Sequence, residues 1–145
     1  MNAFRLIKQP TARRRSFRRH RGVAAVEFAI VAPIFFLMVL GIIEIGRAMM
    51  VQQVLINASR VGARRAVMLS SDEQSVIDAV TEYAAGVGVN GVEASVSPNP
   101  ATAAAGVPVT VNVTIGFEQV SWLPAPWIMG GRDLSSSSVM RKEGF

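Results

Sequence analysis

The sequence predicts an α+β membrane protein: a long N-terminal transmembrane helix that continues outside the membrane, a second amphipathic helix, and a small antiparallel sheet of about three strands. Three observations lead there. Residues 28–43 are sixteen consecutive uncharged, mainly apolar residues. Residues 1–22 are rich in arginine and lack acidic residues. Beyond residue 90 the apolar period falls from the helical value to two.

Residues 1–22 form a basic leader. Eight of the fifteen basic residues (Arg5, Lys8, Arg13, Arg14, Arg15, Arg18, Arg19 and Arg21) lie in it. The other seven face all ten acidic residues, so a chain of net charge +5 becomes one of −3 without its leader. The basicity therefore belongs to a tail with no apolar periodicity, which reads as unpacked, and no nucleic-acid partner is expected.

Residues 23–46 form the transmembrane helix. Counting 23–26 and Ile45 around Glu27 and Glu44, about twenty apolar positions are available, the number that ~30 Å of hydrocarbon requires at ~1.5 Å per residue. Basic residues collect on the cytoplasmic side of a span, and here eight precede it while Arg47, Arg60, Arg64 and Arg65 follow. The N-terminus is thus cytoplasmic and the rest exported. Pro33 cannot donate to the Ala29 carbonyl, which predicts a kink. A carboxylate at mid-bilayer costs ~2.5–3.5 kcal/mol. Glu27 and Glu44, roughly 25 Å apart on a helix, are spaced to approach opposite interfaces.

Gly22 leaves the backbone open at the junction, which suits a protease taking the chain in extended form. Cleavage between Gly22 and Val23 would free an amine on Val23. Glu27, four residues on and on the same helical face, could neutralise that amine or the one on a neighbouring copy.

Residues 47–69 continue the helix outside the membrane. Val51, Val54, Leu55, Ala58, Val61 and Gly62 recur at helical spacing, with Gln52, Gln53, Asn57, Arg60 and Arg64 on other faces. Residues 70–145 form a small α+β domain. It opens on Ser71-Asp72-Glu73-Gln74, read as a capping box using the Ser71 hydroxyl and Gln74. The second helix has Val76, Ile77, Val80, Tyr83, Ala84 and Val87 on one face and ends at Gly86 and Gly88. A short strand follows at 92–96, then a loop at 97–106 with Pro98 and Pro100. Val107, Val109, Val111, Val113, Ile115 and Phe117 alternate with polar or small residues in a half-buried strand. A loop at 118–133 carries Trp122, Pro124, Pro126 and Trp127, and 134–140 reads as an edge strand with serines on its wet face. The two tryptophans form either an exposed contact patch or, the favoured reading, a cover over a small core.

The composition speaks against catalysis. There is no cysteine, and the single histidine, His20, lies in the leader. Acid-base or metal chemistry after residue 22 would rest on dispersed carboxylates such as Asp72, Asp78 and Glu118. No catalytic residue, metal ligand or cofactor is expected. Two other export signals are weak: Arg14-Arg15-Ser16-Phe17 as a twin-arginine motif, and Gly46-Arg47-Ala48 as a signal-peptidase site. Arg18 stands where an apolar residue belongs, Glu27 interrupts the apolar run, and that run exceeds the usual ~7–15 residues.

Several of these features occur together in one known family. Gly22, the Val26-Glu27-Phe28 triplet, Pro33, Gly41-Ile42-Ile43-Glu44-Ile45-Gly46-Arg47, Asn57-Ala58-Ser59-Arg60 and Ala63-Arg64-Arg65 resemble the TadE/TadG-like minor pilins of the tight-adherence (Flp-type) type IV pilus machinery. A weaker likeness returns in Ser138-Val139-Met140-Arg141-Lys142-Glu143. The resemblance implies a minor pilin or pseudopilin of the bacterial inner membrane, its C-terminal domain periplasmic, taking part in pilus assembly and surface adhesion. It implies processing at Gly22 and Val23 by a prepilin peptidase and assembly contacts at Glu27 and Phe28. It also implies a motif at Glu44, Gly46 and Arg47. The implied partners are other pilin-like subunits and the pilus assembly platform. Phe28 stands where Flp pilins usually carry tyrosine. The rival reading is an uncleaved single-pass membrane-anchored envelope protein without a filament role.

Overall fold

The computed structural model of the chain describes residues 19–121 and 131–144, with side chains from Gly22 onward. Most of the leader, and Trp122, Pro124, Pro126 and Trp127, lie outside the described residues. The elements are α1 (Arg19–Ala66), α2 (Glu73–Gly86), β1 (Glu93–Ser97), β2 (Pro108–Gly116), α3 (Phe117–Val120) and β3 (Asp133–Arg141). This is the expected α+β arrangement, with a long apolar N-terminal helix, a second helix and a three-stranded antiparallel sheet. The chain divides into two compact units, Met1–Val39 and Leu40–Phe145.

In the first unit α1 begins at Arg19, so Gly22 lies inside the helix rather than in an extended leader. Propagating an existing helix costs far less than starting one, and arginine is a good helix former, so the apolar segment carries helicity back past the junction. Pro33 is accommodated within α1.

In the second unit α1 ends at Ala66, three residues before the expected limit of Leu69. Side chains take over the last carbonyls. Ser71 Oγ donates to the Arg65 carbonyl, and Lys142 Nζ donates to the carbonyls of Ala66, at 3.2 Å, and Met68. These side chains serve carbonyls that a helix C-terminus leaves without an intrahelical partner.

The start of α2 corrects the capping expectation by one residue. Asp72, not Ser71, is the N-cap: its carboxylate accepts from the Ser75 N–H at 2.9 Å, and Ser75 Oγ accepts from the Asp72 N–H at 3.2 Å. A carboxylate is the stronger acceptor at a helix N-terminus, and the Ser71 hydroxyl is already committed to α1. Gln74 instead bonds Asp78 one turn on, at 2.8 Å. The other end closes as a Schellman motif. Val89 N–H bonds the Ala84 carbonyl and Gly88 N–H the Ala85 carbonyl, with Gly88 at φ +80°.

The sheet order is β1-β2-β3, antiparallel throughout. Val109, Val111, Val113 and Ile115 of the central β2 are buried, opposite Val96 and Ala94 on one side and Met140, Ser138, Ser136 and Leu134 on the other. The alternation expected over 107–117 holds in burial, but the strand stops at Gly116 and the buried Phe117 opens the short α3 inside the expected loop. β1 begins one residue later than expected, at Glu93. β3 is an edge strand, as expected, but its serines do not all face water. Ser135 and Ser137 do, whereas Ser136 and Ser138 share the inner face with Leu134 and Met140. Strand parity places them there, and Ser59 of α1 satisfies them. Its hydroxyl donates to the Ile56 carbonyl and lies 2.9 Å from Ser138 Oγ and 3.3 Å from Ser136 Oγ.

The core lies between the two helices and this inner face. Val51, Leu55, Ala58, Ala63 and Ala66 of α1 join Val76, Val80 and Ala84 of α2 and the β2 residues. Gly62 marks the closest approach: a Cβ there would lie 2.6 Å from Val80 Cγ2 and 3.0 Å from Val111 Cγ1. The helix stripe carries glycine at this position because only a hydrogen fits between α2 and β2.

Candidate functional site

From Gly22 to Ile30 every α1 side chain is exposed. Val23 and Glu27 lie four residues apart on one face of the helix, and Phe28 is exposed beside them. A Cβ on Gly22, Gly41 or Gly46 would meet nothing within 4 Å. Among the described residues, then, nothing in the packing requires glycine at these three positions.

The residues expected to end the span behave differently. Glu44 is 9% exposed, and its Oε1 is buried without a hydrogen-bond partner. Arg47, one turn on, is half-buried and its Nε donates to the Val120 carbonyl at the end of α3. Gly46 between them is exposed. Within the Glu44, Gly46, Arg47 motif, then, the two charged side chains turn onto the domain and the glycine turns away. Farther along, Gln52 Nε2 donates to the Ser135 carbonyl at 2.9 Å, Ser59 meets Ser136 and Ser138, and Lys142 reaches Ala66. α1 and β3 therefore run side by side in the same direction.

One of these contacts, Ser59 with Ser138, joins the two resemblance blocks physically, and that of Lys142 with Ala66 lies just past the end of the first. Lys142 was not among the expected site residues, although it is 7% exposed and caps the C-terminus of α1 with a positive charge where the helix dipole favours one. The signal was present in the parity of β3. Counting by two from Leu134 and Met140 puts Ser136, Ser138 and Lys142 on the inner side.

The dispersed carboxylates Asp72, Asp78 and Glu118 are held at separate places in the fold. Glu118 lines a polar cavity of about 200 Å³ with Glu93, Thr114 and Asp133. Asp72 caps α2 and Asp78 is held by Gln74. Among the described residues no group of three His, Cys, Asp or Glu side chains could hold a metal ion.

Among the described residues one helix, Gly22–Ala66, is long and apolar enough to cross a membrane, and none of its most apolar window is buried. Such a helix near the N-terminus fits a single-pass membrane anchor. No curated protein and no solved structure gives a significant match to the chain. A family model does: residues 22–64, from the junction glycine to within one turn of the end of α1, match the TadE-like protein family.

Proposed function

We propose that the protein is a non-enzymatic minor pilin or pseudopilin that takes part in assembly of a tight-adherence pilus and so supports surface adhesion. The observation that carries this reading is the state of α1 from Val23 to Ile43. Nearly its whole surface is open, including Phe28, Ile34, Phe36, Leu37 and Ile42, while the domain-side half of the same helix is packed against its own chain. An apolar helix with no intramolecular partner is suited to lipid before assembly and to neighbouring subunits after it.

In this reading the chain sits in the bacterial inner membrane with its basic N-terminus in the cytoplasm and its domain in the periplasm. A prepilin peptidase cuts between Gly22 and Val23. The helical state of the junction means that the peptidase must unwind about one turn there, a step that glycine eases. The new Val23 amine and the Glu27 carboxylate then form a pair of opposite charges on an exposed apolar helix. Desolvated between subunits, that pair fixes the register of one copy against the next. Phe28 lies beside it, and the assembly platform and other pilin-like subunits are the partners.

The N-terminal residue of the protein recovered from membranes tests this directly. Val23 supports processing; Met1 indicates a permanent anchor; Met49 indicates signal peptidase and removes the membrane helix altogether. Glu27→Ala is expected to insert normally and to impair pilus assembly, and normal pili from that variant would eliminate the register role.

A further inference from the structure

The uncharged run 28–43 spans only about 23 Å as a helix, short of the ~30 Å of hydrocarbon a span must cross. Glu44 and Arg47 end that run in the sequence but not on the surface of the helix. Both face the domain, Glu44 buried and Arg47 bonded to Val120. On the opposite face the apolar surface continues through Ile42, Ile45, Met49 and Met50, with Met49 66% and Met50 60% exposed. The first polar residue there is Gln53, followed at helical spacing by the exposed Asn57, Arg60 and Arg64. Measured on that face, from Phe28 to Met50, the apolar length is about 33 Å, enough to cross the bilayer.

We propose that the outer boundary of the bilayer crosses α1 obliquely. On the domain side it lies at Glu44 and Arg47; on the opposite side it lies between Met49 and Gln53. The occupant of the Met49 and Met50 surface is lipid, because that surface is continuous with the span and ends in one step at a polar face. The offset of five residues from Glu44 to Met49, which lie on roughly opposite faces, is ~7.5 Å across a helix ~10 Å wide and corresponds to a tilt of roughly 37°, within the range of single spans. The end of α3 at Val120 then rests at the headgroup layer, and the two charged motif residues belong to the domain rather than to the membrane. Bulky methionines on one side and charges tied to the domain on the other fix how the helix is turned in the bilayer.

The proposal rests on the reading of α1 as a membrane span, and a control position separates the two. The chain has no cysteine, so single cysteines can be labelled without background. An environment-sensitive fluorophore is placed on Leu37→Cys, Met49→Cys, Met50→Cys, Gln53→Cys and Arg60→Cys in the full chain. Each variant is reconstituted in phosphatidylethanolamine and phosphatidylglycerol vesicles, with or without phosphatidylcholine brominated in its acyl chains. Brominated lipid is expected to quench labels at positions 37, 49 and 50, and aqueous iodide those at 53 and 60. Iodide reaching 49 and 50 as readily as 53 overturns the oblique boundary. Shielding of 49 and 50 from both quenchers also overturns it, since protein rather than lipid would then cover them. Loss of bromide quenching at 37 as well would defeat the span itself.

Discussion

Leu37 and Leu55 lie on one helix, about five turns apart. Leu37 is 69% exposed, and Leu55 has no exposed surface at all. The residue type, the helix and the local backbone are the same; the surroundings are not. Around Leu55 a second helix and a sheet remove water, whereas around Leu37 the described residues leave most of the side chain open. Apolar surface left open to this extent on a soluble protein would be an aggregation hazard, so the upper half of α1 is built for a medium other than water. The lower half holds a domain too small to bury a sheet face without it. One helix thus serves as membrane element and as structural spine, and substitutions should divide its effects cleanly between the two.

The widest separation is expected from the leucines themselves. Leu55→Ala should destabilise the domain by about 2–5 kcal/mol, the cost of a cavity in a packed core, while Leu37→Ala should leave the domain's unfolding temperature unchanged. Thermal unfolding in detergent measures both, and equal shifts would break the division. The glycines offer a second contrast. Gly62→Ala drives a methyl to 2.6 Å from Val80 Cγ2 and should cost about 1–3 kcal/mol through displaced side chains. Gly41→Ala meets nothing within 4 Å and should, if anything, favour the helix slightly. Resistance of the detergent-solubilised domain to protease distinguishes them.

The contrast also marks what the sequence could reveal. The membrane half was legible because a bilayer imposes a single rule, continuous apolarity over a fixed length, and 28–43 obeys it. The alternation of β2 was legible for the same reason: one buried face, one period. Less legible were features decided by a partner distant in sequence. Ser136 and Ser138 look like surface residues until Ser59 is placed against them, and Lys142 looks like a solvated terminal charge until the α1 carbonyls are found beside it. The burial of Glu44 was not legible, because helical spacing alone cannot say which face a domain covers. Asp72 displaced Ser71 as the cap because Ser71 was needed elsewhere.

Lys142 allows the spine itself to be weakened without touching its apolar stripe. Lys142→Met keeps most of the buried stem and removes the ammonium that serves the Ala66 and Met68 carbonyls. A loss of about 1–2 kcal/mol in domain stability is expected, at the low end for an orphaned acceptor because water can reach Met68. Hydrogen exchange should quicken in the last turn of α1 and remain unchanged in its membrane half. Faster exchange along the whole helix would mean that the two halves are not energetically separate.

The smallest effect is expected at Asp72, and there pH supplies the test. The Ser75 backbone N–H bonding to the carboxylate, with the Ser75 hydroxyl adding to it, holds the Asp72 pKa below its ordinary 3.8. A carboxyl group with a depressed folded pKa stabilises the fold when the pH is above the unfolded value, and that contribution is lost as pH falls through the folded one. The melting temperature of the wild-type domain should therefore exceed that of Asp72→Asn at neutral pH. The gap should begin to close as the medium is acidified below about 3.8 and should vanish once the lowered value has been passed. Asparagine can still cap a helix, so the difference isolates the charge rather than the hydrogen bond. A gap that persists in acid would place the effect in the geometry of the cap, and the anchoring of α2 to the end of α1 would then rest on the Ser71 and Ser75 hydroxyls instead.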